Sequence, residues 1–213
     1  MVERARASAP ASIGNVGVGF DVLGQAFDAV RDQVTAVREP APGARLGTVS
    51  GLVSRLPEEV ERNTALAAAQ AVLDAANAPF GVRLDVYKGV PVSAGMGGSA
   101  ASAVAAAMAV NALLDNPFAD EQLLLFALEG ERVSSDPPPW DNVIAALYGG
   151  LVPGAREEAP PLIQRLPVPA GVTVLLFHPD AQVETRAARG ILKAEVPMRI
   201  AVQTGKCTEV RMP

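Results

Sequence analysis

Between Ser99 and Leu114, eight of sixteen residues are alanine, and neither proline nor glycine interrupts them. Alanine has the highest intrinsic helix propensity, so the run is expected to be helical. A helix this small and apolar all round can bury almost every face. It needs a fold that surrounds it, and 213 residues suffice to build a sizeable core. Ser102 and Asn111 lie inside the run, which is shorter than the roughly 20 apolar residues a membrane span requires, so a soluble fold with no membrane association is expected.

The residues before this helix narrow the architecture. Val82, Leu84 and Val86 share one face of a period-two pattern, with Arg83, Asp85 and Lys88 among the polar remainder, which predicts a half-buried strand. The loop Pro91 to Ser102, PVSAGMGGSAAS, then joins strand to helix. Upstream, Asn63 caps a helix that stops before Asn77 and Pro79. Downstream, Asp120 to Gly130 reads as a helix with an acidic first turn, closed by its glycine. Asp141 caps a short helix over Asn142 to Tyr148, Val172 to Phe177 is a candidate buried strand, and Thr185 to Lys193 a further helix. Proline-rich stretches at 40–42, 137–139 and 160–169 read as loops. Strands alternating with helices predict an α+β fold.

Charge and composition exclude several functions. The net charge is −5 and no Lys/Arg cluster occurs, so no nucleic-acid partner is expected. A single cysteine, Cys207, excludes an internal disulfide framework and a multi-cysteine zinc site, which favours a reducing, cytoplasmic setting. The first residues, MVERAR, lead into no apolar segment of the secretory type. His178, the only histidine, has no nucleophile–base pair around it and reads as a loop residue.

An anionic ligand would therefore need a local site, and the glycine loop offers one. Gly95, Gly97 and Gly98 let backbone approach a phosphate, while the first helical turn supplies unpaired N–H groups and the positive end of the helix dipole. The spacing is neither the Walker type nor the dinucleotide fingerprint. The same glycines could equally serve only to pack an alanine-rich helix tightly.

The full string, Pro91-x-x-x-Gly95-Met96-Gly97-Gly98-Ser99-Ala100-Ala101, resembles the ATP-binding loop of the GHMP kinase superfamily, with Met96 for the usual Leu and Gly98 for the usual Ser. Ala9 to Gly24, with Asn15, Gly17-x-Gly19-Phe20-Asp21 and Leu23-Gly24, is similar to the amino-terminal motif of the homoserine kinase branch. Glu129-Gly130, Asp141-Asn142-Val143 and Thr185-x-x-x-Arg189 match further segments in order, although Ser134 to Trp140 replaces the Gly and His usual before Asp-Asn-Val.

What the resemblance implies is specific. ATP would lie against Asn63, Pro91, Gly95, Met96, Gly97, Gly98, Ser99 and Ala100, and Mg2+ at Ser99 and Glu129, a hydroxyl and a carboxylate suited to an ion that keeps several waters. Asn15, Asp21, Asn142 and Arg189 would bind L-homoserine, with Asn142, Ser99 and Glu129 as the catalytic set and no general base. For Asn63 a helix cap, for Asn15 a turn residue and for Glu129 and Arg189 exposed helical charges are the alternative readings. The implied fold is a GHMP-kinase-like amino-terminal domain with a left-handed βαβ unit over residues 1–155, followed at 156–213 by the start of a carboxy-terminal domain largely missing from this chain. The implied activity is phosphorylation of L-homoserine to O-phospho-L-homoserine on the route to threonine, with room for a homodimer. A mevalonate- or diphosphocytidyl-methylerythritol-type kinase, or a non-catalytic nucleotide-binding remnant, are the alternatives.

Overall fold

The computed structural model describes residues 2–17, 19–154, 163–177, 190, 191, 195 and 197–200. Strands β1 (Arg4–Ile13), β2 (Leu23–Glu39) and β3 (Ala44–Gly51) lead through a 3-10 turn to helix α1 (Thr64–Ala75). Strand β4 (Gly81–Lys88), helices α2 (Gly98–Asn111), α3 (Asp120–Glu131) and α4 (Asp141–Tyr148), and strand β5 (Leu151–Pro153) follow. The sheet order is β1-β2-β4-β3, with β5 paired to the start of β2. All pairs are antiparallel except β3 with β4, so β3, α1 and β4 make the expected βαβ unit. This is an α+β fold. Among the described residues no helix is long and apolar enough to cross a membrane.

Helix α2 sits at the centre, packed against α1, α3 and α4 and against β1 and β2. Eleven of its residues are buried, as its alanine content predicts. Alternation along β2 and β4 aims Val34, Ala36, Val82, Leu84 and Val86 at the helices, with Val34 opposite Val86 and Ala36 opposite Leu84. Parity also carries Lys88 onto this buried face, so it belongs with the apolar residues of β4 and not with Arg83 and Asp85. The helix ends at Asn111, three residues short of Leu114, because the Asn111 amide turns back to exchange hydrogen bonds with Phe118 N and O, at 2.8 and 3.0 Å.

Two other expectations need correction. Gly130 does not close α3, which runs on to Glu131. A Cβ there would lie 2.5 Å from Thr64 O and 3.0 Å from Ala103 Cβ, so the glycine exists to bring α3 against α1 and α2. Gly130→Ala should therefore destabilise the fold by about 2 kcal/mol through overpacking, read as a lower denaturant midpoint at unchanged m. A wild-type midpoint would show that the three helices can separate without loss. The second correction concerns Val172–Phe177, which forms no strand and leaves Leu175 and Phe177 76% and 85% exposed. Its apolar composition suits a buried strand, but no described strand pairs with it.

Candidate active site

The helix starts converge on one cleft of about 660 Å³. Gly95, Met96, Gly97, Gly98 and Ser99 form one wall, Asn63 and Thr64 a second, and Asn15, Asp141 and Asn142 a third. Gly95 and Gly97 have left-handed backbone, at φ +69° and +63°, and the first intrahelical bond of α2 runs from Ala101 N to Gly97 O. The amides of Gly98, Ser99 and Ala100 therefore precede the helical ladder and point out of its start. A Cβ on Gly97 would lie 2.2 Å from Ser12 Oγ and 2.9 Å from Asn142 Oδ1, so loop, β1 and α4 meet at that one residue. Ser12 N also donates to Met96 O at 3.0 Å. Backbone alone makes this wall attractive to an anion.

The third wall is acidic. Asp141 is fully buried, and its carboxylate accepts from Asn15 N at 2.7 Å and from Asn142 N at 2.8 Å. The Ser12 hydroxyl donates to Asn142 Oδ1 at 3.0 Å, and Asn142 Nδ2 donates to Asp141 Oδ1 at 3.5 Å, so the amide is held between β1 and the start of its own helix. Asn15 Oδ1 accepts from Asp21 N at 2.9 Å, and both residues hold positive φ, at 55° and 58°. Asn15 and Asn142 thus share the main cleft. Asp21 lines a smaller adjoining pocket of about 130 Å³ with Trp140, Pro137 and Pro138.

Glu131, not Glu129, faces the cleft. Its side chain continues the buried face of α3 set by Leu124, Ala127 and Leu128, seven, four and three residues earlier. Glu129 lies on the outer side, half exposed, with Arg132 at 3.4 Å. The physical reason for the correction is helical phase: two residues is a turn of about 200°, which puts Glu129 and Glu131 on opposite faces. Burial pushes the Glu131 carboxyl up to about 6, and the charge of Asp141 adds to this against hydrogen bonds from Ser99 and Ser134. Its Oε1 is buried without a hydrogen-bond partner. A buried, unpaired carboxylate oxygen beside a serine hydroxyl and a second carboxylate fits a hard divalent cation shared with phosphate oxygens.

Other sequence-derived residues divide cleanly. Asn63 lines the cleft, yet its side chain is spent as a cap, accepting from Ala65 N and Leu66 N and donating to Pro57 O at 2.8 Å. Ala100 is fully buried, so only its backbone is available, and Pro91 sits at the loop start with its carbonyl against Gly98. Arg189, with the rest of Thr185–Arg189, and His178 and Cys207 lie outside the described residues. Lys88, Asp32, Ser102, Ser12 and Glu131 were not singled out from sequence. Parity along β4 and the 3.6-residue period of α3 are the signals that point to Lys88 and Glu131.

Residues 63–150 match the GHMP kinases N terminal domain. Over 190 residues the chain is 47% identical to a homoserine kinase of Xylella fastidiosa, covering 89% of this chain and 58% of that protein. A homoserine kinase of Xanthomonas campestris is 46% identical over 194 residues, at 91% and 59% coverage. The crystal structure of homoserine kinase from Cytophaga hutchinsonii matches with a TM-score of 0.83 at 35% identity, over 97% of this chain and 65% of that one. The chain thus spans under two thirds of the length of these relatives. Residues 63–150 thus form a GHMP kinase amino-terminal domain, and around it the chain is similar in sequence and backbone path to homoserine kinases.

Proposed function

We propose that the cleft binds ATP with its phosphates against Gly95 to Ala100 and that the protein transfers the γ-phosphoryl group to the hydroxyl of L-homoserine. The observation that carries this reading is the single point at Gly97 where an anion cradle meets Asn142, placing a nucleotide wall and a polar acceptor wall in contact. Phosphoryl transfer depends on such positioning more than on covalent help from side chains. The substrate hydroxyl oxygen bonds to the γ-phosphorus, the bond to the β–γ bridging oxygen breaks, ADP departs, and the hydroxyl proton passes to a phosphate oxygen or water. Asp141 is assigned no general-base role, because its oxygens already accept the amides of Asn15 and Asn142.

Ser99 and Glu131 are the residues that would hold magnesium, in place of the pair Ser99 and Glu129. When bound, the ion neutralises charge on the polyphosphate. Asn15 and Asn142 offer polar contacts to an amino-acid alcohol, Asp21 a carboxylate for its ammonium, and Arg189 a cation for its carboxylate. The same reading divides the protein into an ATP-binding unit over 1–155 and residues of a second unit at 156–213.

An acceptor comparison tests the reaction. Labelled phosphate from ATP should appear on L-homoserine, and mevalonate should remain unlabelled. Preference for mevalonate would replace the acceptor, and ATP binding with no transfer to any alcohol would leave a nucleotide-binding remnant. Asp21→Asn should raise KM for homoserine about tenfold or more while leaving KM for ATP within about twofold, since one charge-assisted contact is lost. Asparagine tolerates the positive φ of this turn, so the backbone bond to Asn15 survives. Equal changes in both KM values would assign Asp21 to the turn alone.

A further inference from the structure

Beneath the phosphate loop lies a closed polar network that the reaction as proposed does not use. Asp32 on β2 is fully buried, and Lys88 at the end of β4 is 4% exposed. The two strands bring them together on the buried face as an ion pair. Asp32 Oδ1 accepts from Gly89 N at 3.0 Å and from Val90 N at 2.9 Å, which fixes the strand-side stem of the loop. Asp32 Oδ2 accepts from Lys88 Nζ and from Ser102 Oγ, the latter at 2.6 Å. Lys88 Nζ donates in addition to Ser102 Oγ at 2.9 Å and to Gly98 O at 2.8 Å, which fixes the helix-side stem.

The valences close. An ammonium has three N–H donors, and those of Lys88 go to Asp32, Gly98 and Ser102. A carboxylate has about four lone-pair positions, and those of Asp32 go to Gly89, Val90, Lys88 and Ser102. The Ser102 hydroxyl both accepts and donates within the set. A fully satisfied buried network is rigid, whereas one missing a member leaves costly unpaired groups. Lys88 borders the cleft, yet it has no donor left for a phosphate.

We propose that Asp32, Lys88 and Ser102 are positioning residues that clasp the two stems of the loop and hold the backbone cradle open at the width of a polyphosphate, with Lys88 acting through the loop instead of on the nucleotide. The functional consequence rests on the ATP reading above, while the clasp itself rests on geometry alone. Ser102→Ala in the full 213-residue chain removes one member from an alanine-rich helix that tolerates alanine well. Hydrogen exchange of the loop-stem amides of Gly89 and Val90, which donate to Asp32, should then quicken about tenfold, with core amides of α1 and β4 unchanged. Calorimetry should show ATP affinity lowered about tenfold and adenosine affinity within about twofold, because only the phosphates meet the loop. Asp32→Asn, which keeps the shape and removes the charge, should move both readouts further in the same direction.

Loop exchange unchanged in two folded variants would overturn the clasp, as would loop and core amides quickening together. Equal losses for ATP and adenosine would also count against it, since the loop would then have no special share in the effect. If the parent chain binds neither ligand, the ATP reading fails by itself, and a selective rise in loop exchange still supports the clasp.

Discussion

Gly97→Val is expected to lower ATP affinity about a hundredfold in a chain that still folds. Two costs act on the same residue. Its φ of +63° is one that branched side chains avoid, and its Cβ would sit 2.2 Å from Ser12 Oγ. Strain of this kind is worth about 1–3 kcal/mol, and each 1.4 kcal/mol is a factor of ten in affinity. Relief must come from moving the loop, since Ser12 is buried in β1 and holds Met96 through its amide. The shift also displaces Asn142, whose Oδ1 lies 2.9 Å from the same point, so acceptor binding should weaken together with nucleotide binding. Calorimetric titration with ATP checks the first effect. Wild-type affinity in a folded variant would remove the cradle from the account.

Glu131→Gln should act in opposite directions on stability and on activity. In the ligand-free chain the carboxyl is raised from 4.5 to about 6, first by burial and then by the charge of Asp141. The folded state therefore holds a proton that the unfolded state releases between those values. Stability contributed by the neutral acid is present below about pH 4.5 and is lost as pH rises through 6. A shift of this size corresponds to about 2 kcal/mol. Glutamine never ionises, so the variant should be about 2 kcal/mol more stable than wild type at pH 8 and show little difference near pH 4. Its phosphoryl transfer should fall about a hundredfold and its magnesium requirement should rise, because a negative ligand is gone. Denaturant unfolding at the two pH values and a magnesium titration of turnover check these signs. A variant destabilised at pH 8 would show that the carboxylate is paired in the native state.

Legibility from sequence tracked the contrast between side chains. β4, α1 and α2 were readable because Val82, Leu84 and Val86 alternate with charges, Asn63 is a cap, and eight alanines in sixteen residues favour a helix that can be buried on almost every face. β1 and β2 were not, since RARASAPASI hides its buried Ala9 and Ala11 among equally small residues, and a shift in register at Pro10 breaks the period. Proline is tolerated there because β1 is an edge strand. At the site, residues that act through backbone were legible as glycines, whereas those that act through buried charge were not. Glu129 and Glu131 look alike in a string and differ only in helical phase, and Lys88 looks like the polar end of a strand until Asp32 is seen opposite it. Of the residues the resemblance names, Gly95 to Ser99, Asn15, Asn63 and Asn142 line the cleft, whereas Glu129 does not and Glu131 does.

A crystal structure of the chain grown with magnesium and a non-hydrolysable ATP analogue tests the central claim most directly. The account predicts a triphosphate lying along the backbone of Gly95 to Ala100, a magnesium ion bound by Ser99 and Glu131, and Lys88 still directed at Asp32, Gly98 and Ser102. A nucleotide held elsewhere, or a magnesium ion bound by Glu129 with Glu131 untouched, would contradict it.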